Sequence, residues 1–242
     1  MEKEMRVCGY LEYNGIITKI HSLRDVEKWL GNTRNGDVDL IQRIELMNSS
    51  RWDDPDRGIV KTDKEGVVYK YFEVSMDGEQ DLCLVKGCKD WVRSCKPYDN
   101  TVYVCDSSFS RNPYLETIFL PDSIKVLGEY AFYNCLCLKE VRMPAGLKMI
   151  NKGCFEGCES IEELRLPEGL MFIEDDAFAG CKGLKKIYLP GSIKRIGCDI
   201  FGDITTDDEN AKNLEIVIPY GMEEKFRELL PEELHNSIIV EQ

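Results

Sequence analysis

Residues 115–203 read LETIFLPDSIKVLGEYAFYNCLC (115–137), LKEVRMPAGLKMINKGCFEGCES (138–160), IEELRLPEGLMFIEDDAFAGCKG (161–183) and LKKIYLPGSIKRIGCDIFGD (184–203). The pattern returns every 23 residues. Self-similarity at a short fixed period marks a solenoid, in which each coil buries its apolar face only against its neighbours. Slots one, four and six are apolar in every unit: Leu115, Ile118, Leu120; Leu138, Val141, Met143; Ile161, Leu164, Leu166; Leu184, Ile187, Leu189. Slots four and six flank a variable slot five, the period-2 signature of a strand with one buried face. Proline follows at once as Pro121, Pro144, Pro167 and Pro190. It lacks the N–H a ladder needs, so the strand stops there.

A second apolar pair comes next: Ile124/Leu127, Leu147/Ile150, Leu170/Ile173 and Ile193/Ile196. Then a small or apolar residue precedes an unbroken phenylalanine, in Ala131-Phe132, Cys154-Phe155, Ala177-Phe178 and Ile200-Phe201. One ring per coil predicts a continuous buried aromatic column. Slot twenty holds Asn134, Gly157, Gly180 or Asp203, types that tolerate a left-handed backbone, so a corner is expected there. Cys135, Cys158 and Cys181 share one slot, with Ile204 in the fourth unit.

This pattern, L-x-x-I-x-L-P-x-x-I-x-x-I-G-x-x-A-F-x-x-C, closely resembles the BspA-like leucine-rich repeats of bacterial proteins. The proline, Ala-Phe and Cys columns carry the resemblance in register over about a hundred residues. The ribonuclease-inhibitor type, with its Asn ladder and longer helices, is a poorer match. The resemblance implies an α+β, repeat-solenoid class: a curved right-handed solenoid with short strands and little regular helix. It also implies protein–protein or cell-surface adhesion roles.

Working outward, Val104–Phe109 aligns with Leu127–Phe132 and predicts a degenerate coil before Leu115. Ile41–Leu46 has the strand spacing without the proline, a fainter echo of another. After Phe201, the acidic stretch 203–213 breaks the register, and the strand returns at Ile216-Val217-Ile218-Pro219. Met222, Phe226 and Leu229 then fall on one helix face suited to covering the last coil, with Ser237–Val240 as a final strand. Towards the N-terminus, Val7–Ile20 reads as two strands around Asn14-Gly15. Ser22–Gly31 reads as a short capped helix. Gly66–Val74 and Asp81–Val85 read as strands around the turn 75–80. The expected organisation is an N-terminal α+β cap or small domain over 1–95, the solenoid over 96–220 and a C-terminal cap over 221–242.

The net charge of −13 lacks the basic footprint that nucleic acid or an anionic membrane requires. No run of eighteen apolar residues occurs, so no membrane insertion is expected. The start, MEKEMRVCGYLEYNG, lacks a signal-peptide pattern, which points to the cytoplasm; a removed signal would point instead to the cell surface or secretion. Eleven cysteines are many, but those of the repeat serve as small buried apolar groups. Their parallel side chains suit a disulfide badly, so reduced thiols are expected.

No P-loop, dinucleotide fingerprint, nucleophile elbow or zinc-protease motif is present, so no enzyme, cofactor or catalytic residue is expected. A Cys8–His21 nucleophilic pair remains as an alternative in the N-terminal half. Cys83, Cys88, Cys95 and Cys105 lack the tight knuckle of structural zinc, and residues 203–209 lack the alternation of a calcium loop. No metal site is therefore expected. Asn48-Ser49-Ser50 matches a glycosylation sequon. The candidate surface is the strand face. Slot five points away from the core as Phe119, Arg142, Arg165, Tyr188 and Val217, beside Thr117, Glu140, Glu163, Lys186 and Glu215 in slot three. Aromatic and arginine side chains in a row suit a protein partner, with Phe119, Arg142, Arg165, Tyr188, Glu140 and Glu163 as its contacts. The opposing expectation is mutual solvation, with Arg142 and Arg165 paired to Glu140 and Glu163. The function expected is a non-enzymatic protein-interaction module. The alternatives are a surface adhesin for host protein or carbohydrate, and an enzyme in the N-terminal half.

Overall fold

A computed structural model of the chain describes residues 8–13, 16–20, 41–45, 60–73, 80–89, 91–202 and 214–241. The chain divides into two compact units, one of residues 1–61 with 70–82 and one of residues 62–69 with 83–242.

In the first unit, β1 (Cys8–Tyr13) and β2 (Ile16–Ile20) pair antiparallel from Gly9↔Ile20 to Tyr13↔Ile16. This is the hairpin expected from Asn14-Gly15. β3 (Ile41–Glu45) pairs antiparallel with the other edge of β1. The Ile41 segment is therefore a strand of this sheet and not a decayed parallel coil. Its alternation fits any half-buried strand, and without the proline nothing ties it to the repeat. The expected helix 22–31 lies outside the described residues.

Between β4 (Val60–Thr62) and β5 (Val68–Glu73) the Asp63 carboxylate accepts from the Glu65 and Val67 amides, both at 2.9 Å. β6 (Gln80–Lys86) follows. Each subsequent coil carries two short strands. They are β7 (Ser94–Cys95) and β8 (Thr101–Val104), then β9 (Thr117–Phe119) and β10 (Val126–Leu127). β11 (Glu140–Arg142) and β12 (Met149–Ile150) follow, then β13 (Glu163–Arg165) and β14 (Phe172–Ile173), then β15 (Lys186–Tyr188) and β16 (Arg195–Ile196). After β17 (Glu215–Ile218) come the helix α1 (Glu223–Leu229), a 3-10 turn and β18 (Ile238–Val240). The even-numbered ladder is continuous from β6 through β8, β10, β12 and β14 to β16. Its parallel register, Val126↔Met149, Met149↔Phe172, Phe172↔Arg195, advances by one repeat per coil.

The core follows the slots. Phe132, Phe155 and Phe178 are fully buried and Phe201 is 1 % exposed. Their rings stack at centroid distances of 5.1, 5.8 and 6.1 Å. Phe109 extends the column at 5.0 Å from Phe132, which confirms the degenerate coil before Leu115. A side chain at Gly87 would collide with the Phe109 ring, so glycine marks the end of the column. The Cys135, Cys158 and Cys181 thiols donate to the carbonyls of Phe109, Phe132 and Phe155, each at 3.1 Å. All three are unbridged. Burial pushes each of these thiols up, Cys135 and Cys181 to about 12.

Among the described residues, the coils turn left-handed corners at two slots. Slot twenty is one, with φ of 53° at Asn134, 73° at Gly157 and 66° at Gly180. Slot sixteen is the other, with φ of 55° at Tyr130, 56° at Gly153, 57° at Asp176 and 49° at Asp199. At the C-terminal end, Phe226 of α1 is buried. His235 Nε2 lies 3.0 Å from the carbonyls of Arg227 and Leu230, at the end of that helix.

Candidate partner-binding face

The odd-numbered strands make the face on which slots three and five lie. Phe119 and Tyr188 are half-buried, and Arg142 and Arg165 are exposed. Val217 is 5 % exposed, contrary to the expectation that slot five faces solvent throughout. β18 pairs alongside it, with Ile239 opposite Val217, and the added strand covers that end of the row. Nor do the arginines pair with Glu140 and Glu163. Arg142 reaches Asp122 at 3.5 Å, and Arg165 reaches Glu241 at 3.5 Å. The Arg165 guanidinium also lies 3.6 Å over the Tyr188 ring, a stacking that fixes both side chains.

The ladder on this face is divided. One sheet has the order β7-β9-β11 and the other β13-β15-β17-β18. Within each sheet the register is regular, with Glu140↔Thr117 and Arg142↔Phe119 in one, Glu163↔Lys186 and Arg165↔Tyr188 in the other. The Leu120 amide donates to the Arg142 carbonyl at 3.2 Å, and the Leu166 amide to the Tyr188 carbonyl at 3.1 Å. Among the described residues, the equivalent bond from the Met143 amide to the Arg165 carbonyl is not made. On the even-numbered side the same two coils stay joined, with Met149 paired to Phe172.

Slots three and five explain the division. In the common register Glu140 would face Glu163 and Arg142 would face Arg165. Like charges directly opposite each other destabilise a strand pair. The other junctions place Thr117 against Glu140, Lys186 against Glu163, Lys186 against Glu215 and Tyr188 against Arg165. Lys186 and Glu215 form an ion pair at 2.6 Å, which raises the lysine pKa. Slot two shows the same interruption. Its charges alternate as Arg93, Glu116, Lys139, Glu162 and Lys185. Arg93 and Lys139 both pair with Glu116, and Lys185 pairs with Glu162 at 2.9 Å, which holds the Glu162 carboxyl below its ordinary pKa.

Opening the ladder uncovers apolar surface. Val141 and Met143 occupy core slots, yet both are half-buried, whereas their counterparts Ile118, Leu120, Leu164 and Leu166 are buried. They line a groove of about 530 Å³ with Arg142, Arg165, Tyr188 and Glu241. Arg142, Arg165 and Tyr188 of the expected contacts thus meet in one place. Phe119 lies beside Arg142 in register, and Glu163 lines a second recess of about 680 Å³ with Lys139 and Lys185. Glu140 is exposed on β11. Among the described residues, no group of three His, Cys, Asp or Glu side chains is arranged to hold a metal, and no helix is long and apolar enough to cross a membrane. The side chains of Cys8 and His21 lie outside the described residues.

The repeat matches the BspA type leucine rich repeat region, in six copies, over residues 92–206. Those residues are a BspA-type leucine-rich repeat region. Among solved structures, a leucine rich cell surface protein from Faecalibacterium prausnitzii A2-165 is similar, with 25% identity and a TM-score of 0.59. The likeness covers 70% of this chain and 42% of that one. The leucine rich repeat protein TpLRR of T. pallidum has 24% identity and a TM-score of 0.54, covering 62% of this chain and 68% of its own. The pneumococcal vaccine antigen PcpA has 20% identity and a TM-score of 0.53, covering 74% and 47%. The latter two likenesses show the fold alone. This chain spans less than half the length of the first and third of these proteins. No curated protein matches it in sequence. BspA-type leucine-rich repeat solenoids are typical of protein-interaction and surface proteins, and such solenoids are generally not enzymes.

Proposed function

We propose that this repeat region is a non-enzymatic protein-interaction module that grips its partner at the opened strand ladder. The observation that carries the reading is the groove itself: half-buried Val141 and Met143 beside exposed Arg142, Arg165 and the stacked Tyr188. Arginine, methionine and tyrosine are the types that interface cores favour, and apolar floor next to cationic rim supports both burial and directed bonds. The partner supplies carboxylates to Arg142 and Arg165 and basic groups to Glu140 and Glu163; the chain's net charge of −13 favours a basic protein overall.

The test is the double variant Arg142→Glu with Arg165→Glu. It keeps like charges facing across the open junction, so the groove stays open while its rim changes sign. The folded variant should lose the proteins that wild type captures from native lysate. Retention of the same proteins would move the site elsewhere. A second reading, a surface adhesin, is supported by the description of the F. prausnitzii protein as a cell surface protein. Fractionation of cells expressing the full gene tests it, since recovery only in the cytoplasm would remove that reading.

A further inference from the structure

The groove on the partner face already holds a carboxylate of its own chain. Arg165 lies in β13, and across its sheet the register runs Arg165↔Tyr188, Tyr188↔Val217 and Val217↔Ile239. Glu241 stands two residues past Ile239, on the same face of the strand. Three strand steps of about 4.8 Å separate the two backbones. Yet the Arg165 guanidinium and the Glu241 carboxylate meet at 3.5 Å. The guanidinium covers part of that span by lying 3.6 Å over the Tyr188 ring of the intervening β15. The Glu241 amide donates to the Ile218 carbonyl at 2.8 Å, which anchors its backbone beside the groove, and its side chain is part of the lining.

The two arginines hold their carboxylates differently. Asp122 faces Arg142 at 3.5 Å, but its Oδ1 also accepts the Ala145 amide at 3.0 Å, which fixes it to the next coil. Among the described residues, the Glu241 carboxylate has no second donor. The side chains of its pair are 60 % and 53 % exposed, and their separation exceeds the roughly 2.7–2.9 Å of a close charge-assisted bond. The contact holds Arg165 without locking it.

We propose that Glu241 is an internal stand-in for the partner: it occupies Arg165 in the free protein and yields that seat to a carboxylate of an acidic segment whose neighbouring apolar side chains cover Val141 and Met143. The inference rests on the reading of this groove as the partner site. Charge complementarity selects the occupant, because Arg142 and Arg165 offer cations beside an apolar floor and a carboxylate is the group this seat already accommodates. A ligand that must displace an internal competitor binds with an affinity reduced by the fraction of molecules whose seat is empty. A lone carboxylate gains no more from Arg165 than Glu241 does. Only a segment that also buries the floor displaces it, so the contact sharpens selection.

The experiment measures, by fluorescence anisotropy on the whole protein, the binding of a fluorescein-labelled hexapeptide in which glutamate alternates with leucine, and of the same peptide with glutamine replacing glutamate. Glu241→Gln should bind the acidic peptide about two- to fivefold more tightly than wild type, the scale of an exposed ion pair, and bind the glutamine peptide as wild type does. Glu228→Gln, which removes the same charge at an exposed position of α1, should match wild type. In an Arg165→Gln background the gain from Glu241→Gln should vanish. Equal affinity of wild type and Glu241→Gln for the acidic peptide, while Arg142→Glu with Arg165→Glu abolishes binding, overturns the stand-in and leaves the groove as the partner site. A gain that persists in the Arg165→Gln background, or that Glu228→Gln reproduces, also overturns it, since net charge would then account for the effect. Failure of the acidic peptide to bind any of these proteins overturns the inference together with the reading it rests on.

Discussion

Replacing Phe155 with alanine is the sharpest perturbation of the solenoid. The ring is fully buried, stacked 5.1 Å from Phe132 and 5.8 Å from Phe178 with interplanar angles of 2° and 8°. Truncating a buried phenylalanine costs roughly 3–5 kcal/mol, the spread reflecting how far the site can collapse. Here it collapses little. The Phe132 amide is bonded to the Cys154 carbonyl at 2.8 Å and the Phe155 amide to the Ala177 carbonyl at 2.9 Å, so the neighbouring coils are held at fixed spacing. Two stacking contacts are lost as well, each worth about 0.5–1.5 kcal/mol beyond area. We expect a loss in the upper half of the range, about 4 kcal/mol. That is a large part of the roughly 5–15 kcal/mol that holds a domain folded. Guanidinium unfolding followed by circular dichroism measures it, with Leu136→Ala, at a half-exposed side chain, as the control. A loss below about 1 kcal/mol, or one equal to the control, would refute the column as the source of coil-to-coil cohesion.

Gly157→Ala should destabilise by more than about 1 kcal/mol in the same assay, because φ is 73° and the new Cβ would strike the Asn134 side chain. The raised thiols predict alkaline sensitivity. Cys135 and Cys181 stay protonated in the fold up to about 12, while the unfolded chain ionises them from the ordinary thiol value upward. The unfolded state then binds fewer protons, so stability falls as pH rises through that window, by about 1.4 kcal/mol per unit for each thiol. Unfolding midpoints across the alkaline range check the slope, and a flat profile would contradict the burial argument. The single change Arg165→Glu should place opposite charges across the open junction, gain about 0.2–1 kcal/mol and slow exchange of the Met143 amide; unchanged exchange would mean that charge does not hold the ladder apart.

The repeat was legible because its signals are chemical. Pro121 and its counterparts end strands, and Phe132, Phe155, Phe178 and Phe201 specify one column. The slot-sixteen corner was not legible. Tyr130, Asp176 and Asp199 adopt positive φ there without glycine, since backbone bonds on both sides over-determine the turn. The Tyr130 amide donates to Lys152 and the Asp176 amide to Cys198. The division of the strand face was written in the sequence as Glu140 above Glu163 and Arg142 above Arg165. The expectation that Arg142 and Arg165 pair with Glu140 and Glu163 across neighbouring strands passes over it, because in register each slot faces the same slot of the next coil. Val141 and Met143 gave no warning, because their slots look like those of every other coil. Glu241, lying 76 residues from Arg165, could only be placed by the fold.

Hydrogen–deuterium exchange of the chain, free and bound to a captured partner, tests the central claim most directly. In the free protein the Met143 amide should exchange faster than those of Leu120, Leu166 and Leu189, which are bonded across the ladder. On binding, protection should concentrate in the peptides that carry Val141–Ala145, Arg165–Glu168 and Tyr188–Pro190. Protection confined to the even-numbered ladder or to residues 1–61 and 70–82, with these peptides unchanged, would contradict the account.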